Sequence, residues 1–293
     1  MRQAIHMSEG GASATIGSLL GRLREAGFEC ETNSPLQARI SGVAQDSRAV
    51  RPGDVFLALP GTRTDGSEYI ADALAAGAVA AVCSRDVAAN GIPRILVDDV
   101  VRAAGIVAAF ALGDPAERMH LIGVTGTNGK TSCTYLLDHV LGAAGMRVGV
   151  LGTISQRWPG EERTASMTTP PTVELHRTLV DMAAAGCGWV AMEVSSHALS
   201  QHRVAGCRFD TAIFTNLTRD HLDYHGDEET YFAAKASLFL EYLDPRVGVA
   251  VLNAEDPYAM RLAEMLGPDR CRTYTTLEDE ACDVSVVRAD LGL

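Results

Sequence analysis

The chain has 293 residues, 47% hydrophobic and 21% charged, which is enough for two ordinary domains with proper cores. Its net charge of −12 excludes general attraction to nucleic acid or to an anionic membrane surface, both of which want a basic protein. Seven scattered cysteines, none in a CxxC pair, fit reduced thiols better than disulfides or zinc, and no stretch has the make-up of a signal peptide or a bilayer span. A cytoplasmic protein without membrane insertion is expected.

Residues 1–15 are polar and Gly/Ser-rich and read as a loose tail. From Ile40 onward short apolar runs alternate with helical stretches: a strand at 55–59, a helix at 68–76, and strands at 79–83 and 95–97. Residues 100–112 are apolar on most sides and read as a buried helix that Gly113-Asp114-Pro115 stops. The first domain boundary is therefore expected near Glu117, leaving an N-terminal domain over 16–117. The second block, 118–293, is more regular. A strand at 120–125 runs into a glycine turn, and a helix at 130–144 follows, with Leu136, Leu137, Val140 and Leu141 on one face and Gly145 at its end. Strands at 148–151, 189–194, 211–215 and 247–252 alternate with helices at 173–185 and 228–242. That alternation predicts an α/β fold with a mostly parallel sheet and helices on both faces. Residues 283–288 read as a strand that has barely begun a unit of its own, so the second domain is expected to be incomplete.

The segment GVTGTNGKTS at 123–132 sits where a strand turns into a helix. Successive backbone N–H groups and the positive helix end there can cradle phosphate oxygens, with Lys130 bridging β- and γ-phosphates and the Thr131 hydroxyl on Mg²⁺. The glycines fall at 123, 126 and 129, and Val124 stands where the common GxxxxGK[ST] spacing has its first glycine. A glycine-rich turn without a ligand is the bland alternative, and the Lys-Thr pair in a strand–turn–helix context weighs against it. Glu193 closes a strand at the carboxyl edge of the sheet, where open α/β folds bind ligands. Strand 211–215 delivers Asp220-His221-Leu222-Asp223-Tyr224-His225 to the same edge. Imidazole and carboxylate suit zinc, but a phosphate-cradling loop before them and no cysteine beside them favour Mg²⁺. Lys235 stands in YFAAKA, where Phe232 and Ala233-Ala234 favour partial burial and a lowered pKa; an ordinary surface lysine is the alternative. Arg203 can pair bidentately with a carboxylate or phosphate. His202 and His225 read as structural hydrogen-bonding residues, and Ser195-Ser196-His197 lacks the elbow of a hydrolase nucleophile.

Together these segments resemble the Mur ligases, a family related to the folylpolyglutamate and cyanophycin synthetases. EVSSHALSQHRV at 193–204 and TNLTRDHLDYHG at 215–226 are similar to the branch that adds the third residue of the peptidoglycan stem peptide. Asp46-Ser47-Arg48, Pro52-Gly53-Asp54 and the loop from Gly61 to Gly66 resemble the family's uridine-binding first domain, and the likeness runs from about residue 40 to about 260. It implies an ATP-dependent ligase that phosphorylates the terminal carboxylate of UDP-N-acetylmuramoyl-L-alanyl-D-glutamate. The amine of a diamino acid then displaces phosphate; diaminopimelate is the commoner choice and lysine the alternative. It further implies ATP on Gly126, Thr127, Asn128, Gly129, Lys130, Thr131 and Ser132, and Mg²⁺ held by Thr131, Glu193, His221 and a carbamylated Lys235. Catalysis would then fall to Lys130, Lys235, Glu193 and His221. The precursor would lie on Gln45, Ser47, Thr62, Arg63 and Thr64, and on Thr168, Thr169, Ser195, Gln201 and Arg203. Met167 departs from the asparagine that some members place before the Thr-Thr pair.

The family pattern continues into a C-terminal domain that binds the amino acid, absent from this chain, so binding of the precursor without completed ligation is expected, by a monomer. The rival readings are a non-catalytic fragment that binds nucleotide and UDP-sugar, a Mur ligase adding another residue, and a generic P-loop NTPase, which the first domain disfavours.

Overall fold

The computed structural model describes residues 14–61, 64–85, 87, 91–277 and 281–286. They form two compact units, one reaching Gly113 and the other beginning at Asp114. The division falls a few residues before Glu117, at a turn where Gly113 and Asp114 take φ of 75° and 48°. Two successive left-handed residues cannot continue a helix, so the preceding one ends there.

The first unit holds α1 (Ile16–Glu25), β1 (Cys30–Thr32), β2 (Gly42–Ala44), β3 (Asp54–Leu57), α2 (Ile70–Ala75), β4 (Ala80–Ser84), β5 (Arg94–Val97) and α3 (Val100–Ala111). Residues 14 and 15 correct the expectation of a loose tail up to 15. Thr15 and Ser18 form a reciprocal capping box at the start of α1, and the Ala14 carbonyl accepts the Ile40 N–H at 2.7 Å. The rest of that tail lies outside the described residues. Ile16, Leu19, Leu20 and Leu23 of α1 are buried at the spacing of one helix face. The sheet runs β1-β5-β4-β3-β2, parallel except for the β1–β5 pair. Phe56, Ile70, Ala73 and Ala81 pack together inside it. The single helix expected over 68–76 is divided: Asp65 accepts the Ser67 N–H at 2.7 Å and tightens Gly66–Tyr69 into a 3₁₀ turn before α2.

The second unit holds β6 (His120–Thr125), α4 (Lys130–Ala143), β7 (Val148–Leu151), β8 (Ser155–Trp158), β9 (Glu161–Thr164), α5 (Thr172–Ala184), β10 (Trp189–Glu193), α6 (Ser196–Ser200), β11 (Thr211–Phe214), α7 (Leu222–His225), α8 (Glu228–Ser237), β12 (Val249–Asn253), α9 (Pro257–Leu266), β13 (Cys271–Thr275) and β14 (Val284–Ser285). Its sheet is ordered β14-β13-β12-β11-β6-β10-β7-β8-β9. All pairs from β14 to β7 are parallel, and β8 and β9 add an antiparallel hairpin at one edge. The strand expected to start a further unit is thus the edge strand of this same sheet. Phe209, Phe214, Phe239, Leu121 and Leu252 fill the core, each fully removed from water, worth about 1.5–3 kcal/mol per side chain.

Two helices differ from expectation. The run 228–242 winds as α8 to Ser237 and then as a π turn over Leu238–Tyr242, which turns Leu238, Phe239 and Tyr242 inward together. In α4 the apolar face does not wholly meet the sheet: Leu136 and Val140 remain 63% and 62% exposed. The glycine loop fixes the rotation of α4 so that Thr134, the one fully buried residue of the helix, takes the sheet side, with Leu137 and Leu141 half-buried. All seven cysteines are free. Among the described residues no helix is long and apolar enough to cross a membrane.

Candidate functional site

Strand β6 ends at Thr125, and the chain then makes a turn that only glycine permits. Gly126 has φ 145°, and a side chain there would run into the Thr215 hydroxyl and the Asn216 backbone. Gly129 (φ 87°) turns the chain into α4. The loop is braced from the end of β11: the Thr127 and Asn128 N–H groups donate to the Asn216 backbone oxygen and side-chain Oδ1 at 2.9 and 3.0 Å. Thr215 Oγ1 donates to the Asn128 carbonyl at 2.6 Å. Those two loop amides, expected to face a phosphate, are therefore committed to Asn216, a residue that the motif reading left without a role. The first turn of α4, from Lys130, remains the source of N–H groups without an intrahelical acceptor. Lys130 arches back, its Nζ donating to the carbonyls of Gly126 and Thr127 at 2.8 and 2.9 Å. Burial lowers its pKa, opposed by the negative charges of Glu193 and Asp220.

Glu193, at the end of β10, is 1% exposed. Its Oε2 accepts the Thr131 and Thr153 hydroxyls, both at 3.0 Å, and its Oε1 accepts the Thr153 N–H at 3.0 Å. The fold thus brings Thr131 and Glu193, 62 residues apart, into direct contact. These are hard oxygen donors, few in number, and they suit Mg²⁺, which keeps several waters and takes its remaining ligands from phosphates. Among the described residues no three His, Cys, Asp or Glu side chains converge as a metal cluster.

His221 and Lys235 both lie against Tyr231. The His221 ring lies 6.1 Å from the Tyr231 centroid, and Lys235 Nζ sits 4.4 Å over it. Tyr231 in turn shares a 3.2 Å hydrogen bond with the Thr127 hydroxyl of the glycine loop. His221 has φ 52°, a strained value for a residue with a side chain, and its half-exposed ring lies 3.5 Å from Asp220. Lys235 is 1% exposed, where only partial burial was expected. Burial and then the nearby Lys130 push its pKa well below the usual lysine range, with Asp220 opposing. His197 also joins this cluster, 4.1 Å from Tyr224 and 4.9 Å from His221 between ring centroids. His225 and His202 hydrogen-bond Ser196 and Tyr242 at 3.0 and 2.9 Å, the structural role expected of them.

Of the residues implied for a sugar-nucleotide, those in the second unit form one network. The buried Thr169 hydroxyl donates to the Glu193 carbonyl at 2.9 Å and accepts the Ser195 N–H at 3.1 Å. Ser195 Oγ caps α6, and Thr168 Oγ1 lies 3.0 Å from Thr153 Oγ1. Arg203 grips Gln201 Oε1 through Nε and Nη2 at 2.9 and 2.6 Å and donates to the Thr169 carbonyl at 3.0 Å. Its remaining close neighbour is Met167 Sδ at 3.2 Å, a weak acceptor where asparagine would offer a strong one. Among the described residues no carboxylate pairs with Arg203. In the first unit, Gln45 is exposed and Ser47 half-buried at a 3₁₀ turn, beside Arg48, which Asp46 holds at 2.8 Å. That contact draws the Asp46 carboxyl down to about 2. Thr64 is exposed, while Thr62 and Arg63 lie outside the described residues. A cavity of about 490 Å³ opens nearby between Ala58, Pro60, Asp65, Ser67, Glu68 and Ser84.

Comparison with known proteins agrees with this fold. The Mur ligase middle domain model matches residues 124–290, and the model for the Mur ligase family, catalytic domain, matches 39–113. The chain is 48% identical over 255 residues to UDP-N-acetylmuramoyl-L-alanyl-D-glutamate--2,6-diaminopimelate ligase of Synechococcus elongatus, covering 84% of this chain and 50% of that one. The enzyme of the same name from Gloeobacter violaceus is 51% identical over 241 residues, covering 80% and 48%. The chain thus spans about half the length of the curated relatives it matches. A solved structure of a ligase with that name superposes with a TM-score of 0.76 at 28% identity, covering 92% of this chain and 54% of the other. MurF from Acinetobacter baumannii, at 20% identity and a TM-score of 0.62 over 96% of this chain and 56% of its own, shares the fold.

Proposed function

The chain belongs to the Mur ligase family, and from that premise we propose that it carries the nucleotide and precursor sites of an ATP-dependent ligase adding diaminopimelate to UDP-N-acetylmuramoyl-L-alanyl-D-glutamate. The observation that carries this reading is the continuous hydrogen-bonded path from the glycine loop to Arg203. It runs Thr131, Glu193, Thr153, Thr168 on one branch and Glu193, Thr169, Arg203 on the other. A γ-phosphate over α4 and a carboxylate near Arg203 would meet along it, as phosphorylation of that carboxylate requires. Both partners are anions, so positioning and charge screening dominate such a reaction.

Each side chain has a defined part. Lys130 leaves its two loop carbonyls to reach β- and γ-phosphate oxygens, a short swing at the head of α4. Thr131 and Glu193 would hold Mg²⁺, which supplies charge neutralisation between the phosphate and the acceptor carboxylate. Arg203, already fixed by Gln201 and Thr169, orients an anionic group of the precursor. Lys235, whose burial favours the neutral amine, is suited to attack carbon dioxide, forming an N–C bond and releasing one proton to give a carbamate. Gln45, Ser47, Thr62, Arg63 and Thr64 are assigned to the uridine diphosphate end on the likeness of their segments alone. Diaminopimelate as the incoming amine rests on the names of the relatives.

The test is phosphate release from ATP by the purified chain with the UDP-muramoyl dipeptide, with and without diaminopimelate or lysine. Release that requires the dipeptide is expected, whether or not a diamino acid is present. Release that ignores the precursor would leave a generic NTPase, and release driven by a shorter or longer UDP-muramoyl precursor would assign another member of the family.

A further inference from the structure

Gly152 and Thr153 follow β7 directly and belong to no motif of the sequence. They nevertheless make the closest shell around the Glu193 carboxylate. A side chain on Gly152 would run into Glu193 Oε1 and meet its carboxyl carbon at 3.2 Å, so only glycine lets the strand end lie against that group. Thr153 then supplies two of the three donors on Glu193, its N–H to Oε1 and its hydroxyl to Oε2, each at 3.0 Å. The third donor is the Thr131 hydroxyl. A threonine hydroxyl has one proton. The Thr153 hydroxyl is placed to donate to Thr168 Oγ1 as well, 3.0 Å away, so its proton is shared between the carboxylate and Thr168.

We propose that Thr153 is the positioning residue of the metal carboxylate: it sets the plane of Glu193 and ties it to the precursor-side Thr168. The inference rests on the reading of Glu193 and Thr131 as Mg²⁺ ligands. A metal on a Thr131 oxygen lone pair would leave the Thr131 proton on Glu193 but would draw that hydroxyl toward the ion. Both Thr153 contacts come from the residues that follow β7, the parallel neighbour of β10, and they restrain the carboxylate independently of Thr131. Outer-sphere hydrogen bonds of this kind typically alter metal affinity by about 10–100-fold, and the backbone N–H survives side-chain replacement, so the lower end is expected.

Calorimetric titration of the chain with ATP over a series of Mg²⁺ concentrations, and in EDTA, tests it. T153A is expected to need about tenfold more Mg²⁺ for half-maximal enhancement of ATP binding. Its ATP affinity in EDTA and its melting midpoint should match the wild type, and T153S should restore the wild-type Mg²⁺ requirement. T153V, which keeps the shape and removes only the hydroxyl, replaces T153A if the latter melts early. An unchanged Mg²⁺ requirement in T153A and T153V, or T153S as defective as T153A, overturns the role of Thr153 alone. A wild-type chain that binds ATP equally well with and without Mg²⁺ overturns the metal reading of Glu193, and the inference falls with it.

Discussion

Lys235 lies against the face of Tyr231 with 1% of its surface exposed, and Lys130 stands near enough to oppose its charge. Both effects favour the neutral amine, the form that reacts with carbon dioxide. Labelling with ¹³C-bicarbonate is therefore expected to give a carbamate carbon resonance in the wild-type chain that is missing from K235A. Identical spectra would leave Lys235 a buried amine that only packs. The burial itself was half legible, since YFAAKA announces apolar neighbours. The role of Lys130 in depressing the pKa was not, because the two lysines meet only through the order of β6 and β11. The same holds for Glu193. Its contact with Thr131 follows from a strand-end acid facing a glycine loop, whereas Thr153 lies outside every motif, and the segments that hold Asn216 and Tyr231 gave those two residues no role of their own. A strand end at the carboxyl edge of a parallel sheet was the one clue available for Thr153.

At the scale of elements, α5 shows how a buried titratable group ties pH to stability. His176 is fully buried, its Nε2 2.9 Å from the Ala205 carbonyl, and its Nδ1 has no hydrogen-bond partner among the described residues. Burial depresses its pKa to about 4, with the Ala205 carbonyl opposing. The unfolded chain takes up that proton near the ordinary histidine value while the folded one refuses it. Stability is thus fully present above about pH 6.5 and is lost as pH falls toward 4, by on the order of 3 kcal/mol. Chemical denaturation across that range should show a flatter profile for H176Q, which keeps an N–H for Ala205 without a titrating ring. An unchanged slope would place the acid sensitivity elsewhere. The elements missed from sequence have their own physical reasons. Strand β9, Glu-Glu-Arg-Thr, is exposed at all four positions and so lacks any alternation, and its hairpin is set by the Pro159-Gly160 turn. In α1 a clean apolar spacing is diluted by Gly17, Gly21 and two arginines, and the Thr15 cap that starts it lies in a segment whose composition reads as a tail. Strand β1, three residues long, exists because it pairs antiparallel with β5.

At the scale of the molecule, the separation of tasks between two units makes ligand binding readable as stability. The glycine loop, α4 and Glu193 all lie in the unit that begins at Asp114. A ligand that binds only the folded state stabilises it by mass action, about 2.7 kcal/mol at a free concentration one hundred times its dissociation constant. For a unit of this size each kcal/mol moves the midpoint by about 2–4 °C, so MgATP at that excess should raise melting by about 5–10 °C. The shift should shrink in EDTA, because the Mg²⁺ proposed between Thr131 and Glu193 is then withdrawn. It should nearly vanish in K130A. That variant removes a loop-tip cation whose two bonds to the Gly126 and Thr127 carbonyls are worth about 0.5–1.5 kcal/mol each, and it leaves the core untouched. Hydrogen exchange should place the added protection in β6, α4 and β10, whose amides surround the site, and leave β3 to β5 of the first unit unchanged. A wild-type shift that K130A reproduces in full would show that the nucleotide is bound elsewhere. Protection spread evenly over both sheets would show that binding near α4 stabilises the chain as one cooperative body.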